Sequence, residues 1–153
     1  MARIEGARFG HVNVTGADWH RLAAFYSAVF GLELVPPDRD YRGPDLEAAT
    51  GVAGAHLTGA HYRLPGHGPN GPTLEIYQYE SVEVPRAPRA DRGGWGHIAF
   101  QVPDVAAALD VVLDSGGGRV GEIITSTTAD GRHVTWCYAT DPDGNIVELQ
   151  AWS

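Results

Sequence analysis

Apolar and polar residues alternate over residues 146–152, with Val147, Leu149 and Ala151 on one face and Ile146, Glu148, Gln150 and Trp152 on the other. Residues 134–140 read as a second strand, and Asp141-Pro-Asp-Gly-Asn145 between them is a dense turn signal, so the spacing predicts a β-hairpin. A carboxylate in the middle of such a strand is costly to bury without a cation or proton beside it. Glu148 therefore needs a partner. The same pattern stands earlier in the chain, over residues 73–80, where Glu75 lies between Leu74 and Ile76.

Taken in order, residues 9–14 read as a short strand with Val12 and Val14 on one face and His11 and Asn13 on the other. Asp18 is an N-cap candidate, Trp19, Leu22, Phe25, Tyr26 and Val29 recur at helical spacing, and Gly31 is a natural stop. A strand over 32–35 ends at Pro36-Pro37. The polar, glycine-rich stretch 38–54 reads as a loop with a short helical turn over 45–49, and serves either to cover a pocket or as a plain surface excursion. Strands follow over 55–64 and 73–80. Residues 84–94 form a proline- and arginine-rich linker, and beyond it the order repeats. A strand over 95–102 places Ile98, Phe100 and Val102 opposite His97, Ala99 and Gln101. A helix opened by Pro103-Asp104 runs through Val105, Leu109 and Val112 to the stop at Ser115-Gly-Gly-Gly118, and a strand over 119–125 precedes the hairpin. Residues 8–83 and 95–153 each read strand, helix, three strands. The histidines align, the glutamates align, and their separations are similar, 75 − 11 = 64 and 148 − 97 = 51. These features mark an internal duplication in an α+β chain of two βαβββ modules forming one compact domain.

The periodicity sets His11, Glu75, His97 and Glu148 on the faces opposite the valine, leucine and isoleucine sides of their strands. Paired modules would bring the four together as two neutral imidazoles and two carboxylates. That is a mixed nitrogen and oxygen set suited to one divalent ion such as Zn, Ni, Co, Mn or Fe. The plainer alternative is satisfied structural histidines, with the glutamates met by arginines or water. Asn13, Tyr77, Tyr79, Gln101 and Gln150 share the same parity and either line a substrate pocket or pack between strands. His56 and His61 are five residues apart, face opposite sides of their strand and make a poor ligand pair. Cys137, between Trp136 and Tyr138, reads as buried packing, and Gly116–Gly118 as a helix stop and not a phosphate loop. Arg86, Arg89 and Arg92 read as a solvated linker, with contact to a coenzyme A phosphate as the lesser alternative.

Composition narrows the partners. A net charge of −8 argues against nucleic acid or an anionic membrane surface and leaves a small-molecule substrate. The single cysteine cannot form an internal disulfide, and neither an apolar run long enough to span a membrane nor a signal-like amino terminus is present, so the expectation is a cytoplasmic protein.

Gly10-His11-Val-Asn-Val14, Ala24-Phe-Tyr-Ser-Ala-Val-Phe-Gly-Leu32, Gly96-His97-Ile-Ala-Phe-Gln-Val102 and Asp141-Pro-Asp-Gly-Asn-Ile-Val-Glu148-Leu149 together resemble the vicinal oxygen chelate superfamily, the group of glyoxalase I, bleomycin-resistance proteins and extradiol dioxygenases. The resemblance implies an incomplete barrel of paired βαβββ modules around a metal, often in a homodimer. Dioxygenases of this group use two histidines and one glutamate, whereas Glu75 here adds a fourth ligand, as in glyoxalase I and close to methylmalonyl-CoA epimerase. The implied chemistry is that of a lyase, isomerase or epimerase: proton abstraction beside a metal-bound carbonyl of a hydroxy-carbonyl or thioester substrate, with Glu75 or Glu148 as base. Two alternatives stand beside it, a non-catalytic binder of an antibiotic or aromatic molecule and an Fe(II)-dependent extradiol dioxygenase.

Overall fold

The computed structural model describes residues 4–81 and 89–153. The predicted linker, 84–94, therefore lies partly outside the described residues, with Arg86 among those outside. The fold is mixed α+β, built on two open sheets: one of four strands in the order β1-β4-β3-β2 and one of five in the order β5-β9-β8-β6, with β7 also on β8. The elements are β1 (His11–Thr15), α1 (Trp19–Phe30), β2 (Glu33–Arg42), α2 (Pro44–Thr50), β3 (His56–Arg63) and β4 (Thr73–Tyr79) in the first half. The second half holds β5 (Ile98–Gln101), α3 (Val105–Asp114), β6 (Gly118–Arg119), β7 (Ile124–Thr127), β8 (His133–Thr140) and β9 (Ile146–Trp152). In each sheet the first strand of the half lies parallel to its last, β1 on β4 and β5 on β9, and the remaining pairs are antiparallel. No helix among the described residues is long and apolar enough to cross a membrane.

The chain divides into two compact units. One holds the described residues within Met1–His20 and Leu32–Val82, and the other Arg21–Gly31 with the described residues of Glu83–Ser153. The division cuts α1 after its first two residues, Trp19 and His20. Its start belongs with the first sheet, where the Trp19 backbone N–H donates to Gln78 Oε1 of β4 at 3.3 Å. From Arg21 onward the helix belongs to the second unit, where Phe30 stacks on Phe100 of β5 with ring centroids 3.8 Å apart. Gly31 ends the helix in the left-handed region (φ 70°), which only glycine enters without a Cβ penalty. α3 starts as its sequence predicts, with Asp104 Oδ1 accepting from the backbone N–H of Ala106 and of Ala107. Its Val105, Leu109 and Val112 are buried, and it packs on β8 and β9. Leu149, Val147, Cys137 and Ala139 are buried with them, and burial pushes the Cys137 thiol up, in keeping with a packing role.

Two strand predictions are corrected. β2 does not end at Pro36-Pro37 but continues to Arg42. It is an edge strand, where a residue without an N–H costs no ladder bond, and the register slips between Val35 and Arg39 to absorb the prolines. The stretch read as loop is thus half strand, followed by the short helix α2. The strand expected over 119–125 is instead two pieces, β6 and β7, which take the same edge of β8 at Ala139–Thr140 and at 133–136. The intervening residues 120–123 leave the ladder, with the Val120 N–H donating to the Tyr138 carbonyl at 3.2 Å.

The hairpin between β8 and β9 forms as its turn signal dictates. Asp141 is fully buried, and its carboxylate accepts from the N–H of Asp143 and Asn145, from Asn145 Nδ2 and from the Tyr26 hydroxyl, each at 2.9–3.0 Å. Burial pushes the Asp141 carboxyl above its ordinary range while these four donors pull it back. Arg21 of α1 pairs with Asp143 in the same turn. The turn that sets the register of β9 is therefore fastened to a helix.

Candidate functional site

The first unit brings His11 and Glu75 together. Asn13 of β1 stands opposite Glu75 of β4, so His11, two residues earlier on the same face, reaches the carboxylate, with Nε2 3.4 Å from Oε2. The second unit repeats this step for step. Ala99 of β5 stands opposite Glu148 of β9, and His97, again two residues earlier, has Nε2 2.8 Å from Glu148 Oε2. His97 sits just before β5 and not inside it. In both pairs the carboxylate is the sheltered member, with side-chain exposures of 13% for Glu75 and 17% for Glu148 against 55% and 34% for the histidines.

The strand on the other side of each glutamate differs. His61 of β3 is the register partner of Glu75, and its Nε2 lies 3.1 Å from Glu75 Oε1 and 2.7 Å from the Tyr77 hydroxyl. His56 and His61 do not pair with each other: His61 meets Glu75 across the ladder, and His56 turns away to Asp40 and Glu80. Burial lowers the His61 pKa and outweighs the opposing pull of Glu75, and Arg39 and His11 push the same way as burial. The hydrogen bond of His61 Nε2 is the one to the Tyr77 hydroxyl, with the Glu75 carboxylate close beside it. Burial, helped by the Glu75 charge, pushes the Tyr77 phenol up to about 12. In the second unit the corresponding partner of Glu148 is Tyr138, whose ring lies 5.0 Å from that of His97. Burial and then Glu148 raise its phenol as well.

The other predicted pocket residues are scattered in role. Asn13 donates from Nδ2 to the Glu75 backbone carbonyl at 3.2 Å and accepts from Thr15, so it braces two strands. Tyr77 is buried against His61, and Tyr79 stands opposite Leu57 at the end of the ladder. Gln101 and Gln150 face each other across β5 and β9, and Gln150 accepts from Trp152 Nε1 at 2.9 Å. Arg89, in the linker, is paired with Asp91.

The donor set can be weighed against a metal. Ligand atoms ~2.0–2.2 Å from one first-row ion stand roughly 3–3.5 Å apart, close to the spacing within each His–Glu pair. Each pair alone is two donors. Glu75 turns different oxygens to His11 and His61, and among the described residues no group of three or more His, Cys, Asp or Glu is arranged to hold a metal ion. Each unit thus supplies one imidazole and one carboxylate as candidate donors.

A family model described as glyoxalase/bleomycin resistance protein/dioxygenase superfamily matches residues 8–149. The chain belongs to this superfamily. Among solved structures, a glyoxalase family protein from Bacillus cereus is similar with a TM-score of 0.82 at 17% identity, over 99% of this chain and 98% of that one. Glyoxalase I from Zea mays is similar with a TM-score of 0.64 at 24% identity, over 94% of this chain and 44% of that one. A glyoxylase/bleomycin resistance protein/dioxygenase domain from Frankia gives 0.57 at 16% identity, over 96% of this chain and 93% of that one. At such identities the likeness is one of fold. No curated protein matches the chain in sequence. The superfamily includes enzymes and non-enzymatic binders on the same scaffold, so the reaction has to be argued from the side chains.

Proposed function

We propose that the chain is a metal-dependent enzyme of the glyoxalase I and epimerase kind, which moves a proton at the carbon beside a carbonyl of a small hydroxy-carbonyl or thioester. The observation that supports it most is the recurrence of one His–Glu pair at the same ladder position in both halves. His11 with Glu75 and His97 with Glu148 would hold one divalent ion, each half supplying one imidazole and one carboxylate, from one chain or from two copies. Bound there, such an ion supplies Lewis acidity to a carbonyl oxygen. The protein's own part is the proton. Glu75 is engaged at both oxygens by imidazoles, whereas Glu148 is engaged at one. Glu148 is therefore the carboxylate free to swing toward the substrate, take the proton and return it, to the same carbon in a thioester epimerisation or to the neighbouring carbon in a hydroxy-carbonyl isomerisation. A carboxylate in that role contributes on the order of 10²–10⁴-fold.

The dioxygenase reading is weaker, because oxygen activation at iron needs open positions around three protein ligands, and Glu75 is a fourth. Anaerobic turnover of hydroxy-carbonyl and thioester candidates in deuterated solvent, with Zn or Ni in place of iron, tests the proposal. Deuterium entering at the carbon beside the carbonyl is the expected result. Strict dependence on Fe(II) and O₂, or saturable binding of an aromatic molecule with no turnover of any candidate, would overturn it.

A further inference from the structure

The sheet face that carries Glu75 also carries an arginine that the sequence did not single out. Arg39 of β2 stands opposite Gly59 of β3, and Gly59 stands opposite Tyr77 of β4. Register partners project to one face, so Arg39, Tyr77, His61 and Glu75 share it. Gly59 is the gap that allows this crowding: a Cβ there would run into the Ile76 carbonyl and the Tyr77 ring. The Arg39 guanidinium lies near enough for its charge to act on both His61 and Tyr77. Yet its Nη1 is buried and has no hydrogen-bond partner among the described residues. Glu75 on the same face is engaged by His11 and His61, and Asp40 by Arg42 and His56. A guanidinium nitrogen taken out of water without an acceptor is unfavourable, and buried charged groups of this kind are normally paired. Among the described residues the protein does not provide the partner.

We propose that Arg39 is an anion-binding residue of the first half, receiving a carboxylate carried by the small molecule on which the His–Glu pairs act. A planar guanidinium matches the two oxygens of a carboxylate. A monoanionic carboxylate also suffers less repulsion from Glu75, on the same face, than a phosphate dianion would. The inference rests on the proton-transfer reading for its setting and narrows the substrate to acids, such as a carboxylated hydroxy-ketone or acyl thioester. Its test does not require that reading to succeed.

The experiment follows the Nε–Hε signal of Arg39 by ¹⁵N NMR, identified by its loss in Arg39→Met, while propionate, propionamide or methyl phosphate is added. The expected result is a saturable shift with propionate, none with its uncharged amide, and binding of methyl phosphate weaker by about tenfold, or ~1.4 kcal/mol. Arg39→Lys should keep the charge but lose the fork, and bind propionate more weakly without losing it. The same titration on His97→Ala should still shift Arg39, so that a failure of the metal reading leaves this result standing. No saturable shift, an equal response to the amide, or undiminished propionate binding to Arg39→Met would overturn the inference. Tighter binding of methyl phosphate would overturn the choice of carboxylate.

Discussion

The two halves differ most where they are otherwise most alike. Each sets a histidine two residues before the strand position that faces a glutamate, and each closes that strand against an antiparallel neighbour. The neighbour brings His61 to Glu75 but Tyr138 to Glu148. Both halves thus carry a His–Glu pair at the same ladder position and differ in the residue across from the glutamate. One carboxylate is held from both sides, and the other from one. Under the proposed function this asymmetry divides the labour, with Glu75 fixed as a ligand and Glu148 left to move a proton.

The largest expected effect breaks the comparison directly. At equal metal occupancy, Glu148→Gln should lower kcat by ~10²–10⁴-fold, since it removes the base, while Glu75→Gln should lower it much less and act mainly on metal retention. Equal losses in both would mean that the asymmetry has no catalytic meaning. Next comes the orienting imidazole. His61→Phe removes the second partner of Glu75 and should weaken metal binding by ~10–100-fold, as expected for an outer partner of a ligand, and competition with a chelating dye would read this. Tyr138→Phe, at the matching place in the other half, keeps the ring beside His97 and should leave metal affinity nearly unchanged.

How much of this could be read beforehand depended on whether the signal was local. The hairpin was legible because Asp141-Pro-Asp-Gly-Asn145 encodes its own turn, down to the buried carboxylate that caps it. The two His–Glu pairs were legible as faces of strands, since parity is a period-two property of each strand alone. His61 was not, because its contact with Glu75 depends on the register between β3 and β4, which no spacing within β3 reveals. Arg39 was hidden by the prolines before it: they read as a strand end, and only its edge position lets β2 run on with a slipped register. The break between β6 and β7 was likewise a matter of what β8 offers on its edge.

A smaller effect bears on how the second half holds its glutamate in place. Tyr26→Phe removes one of the four donors to buried Asp141, and the other three remain, so the loss in unfolding free energy should be about 1 kcal/mol by urea denaturation. A loss within error would show that the hairpin needs no fastening from α1 to set β9.

The central claim is that the two pairs serve a single ion. Metal content per chain, measured on purified protein after loading with Zn and removal of excess, tests it most directly when His11→Ala and His97→Ala are compared with the native chain. The account predicts one tightly held ion per chain in the native protein and its loss in both variants, although the two histidines belong to different halves. Two ions per chain, each lost with only its own histidine, or retention of the full complement in either variant, would contradict it.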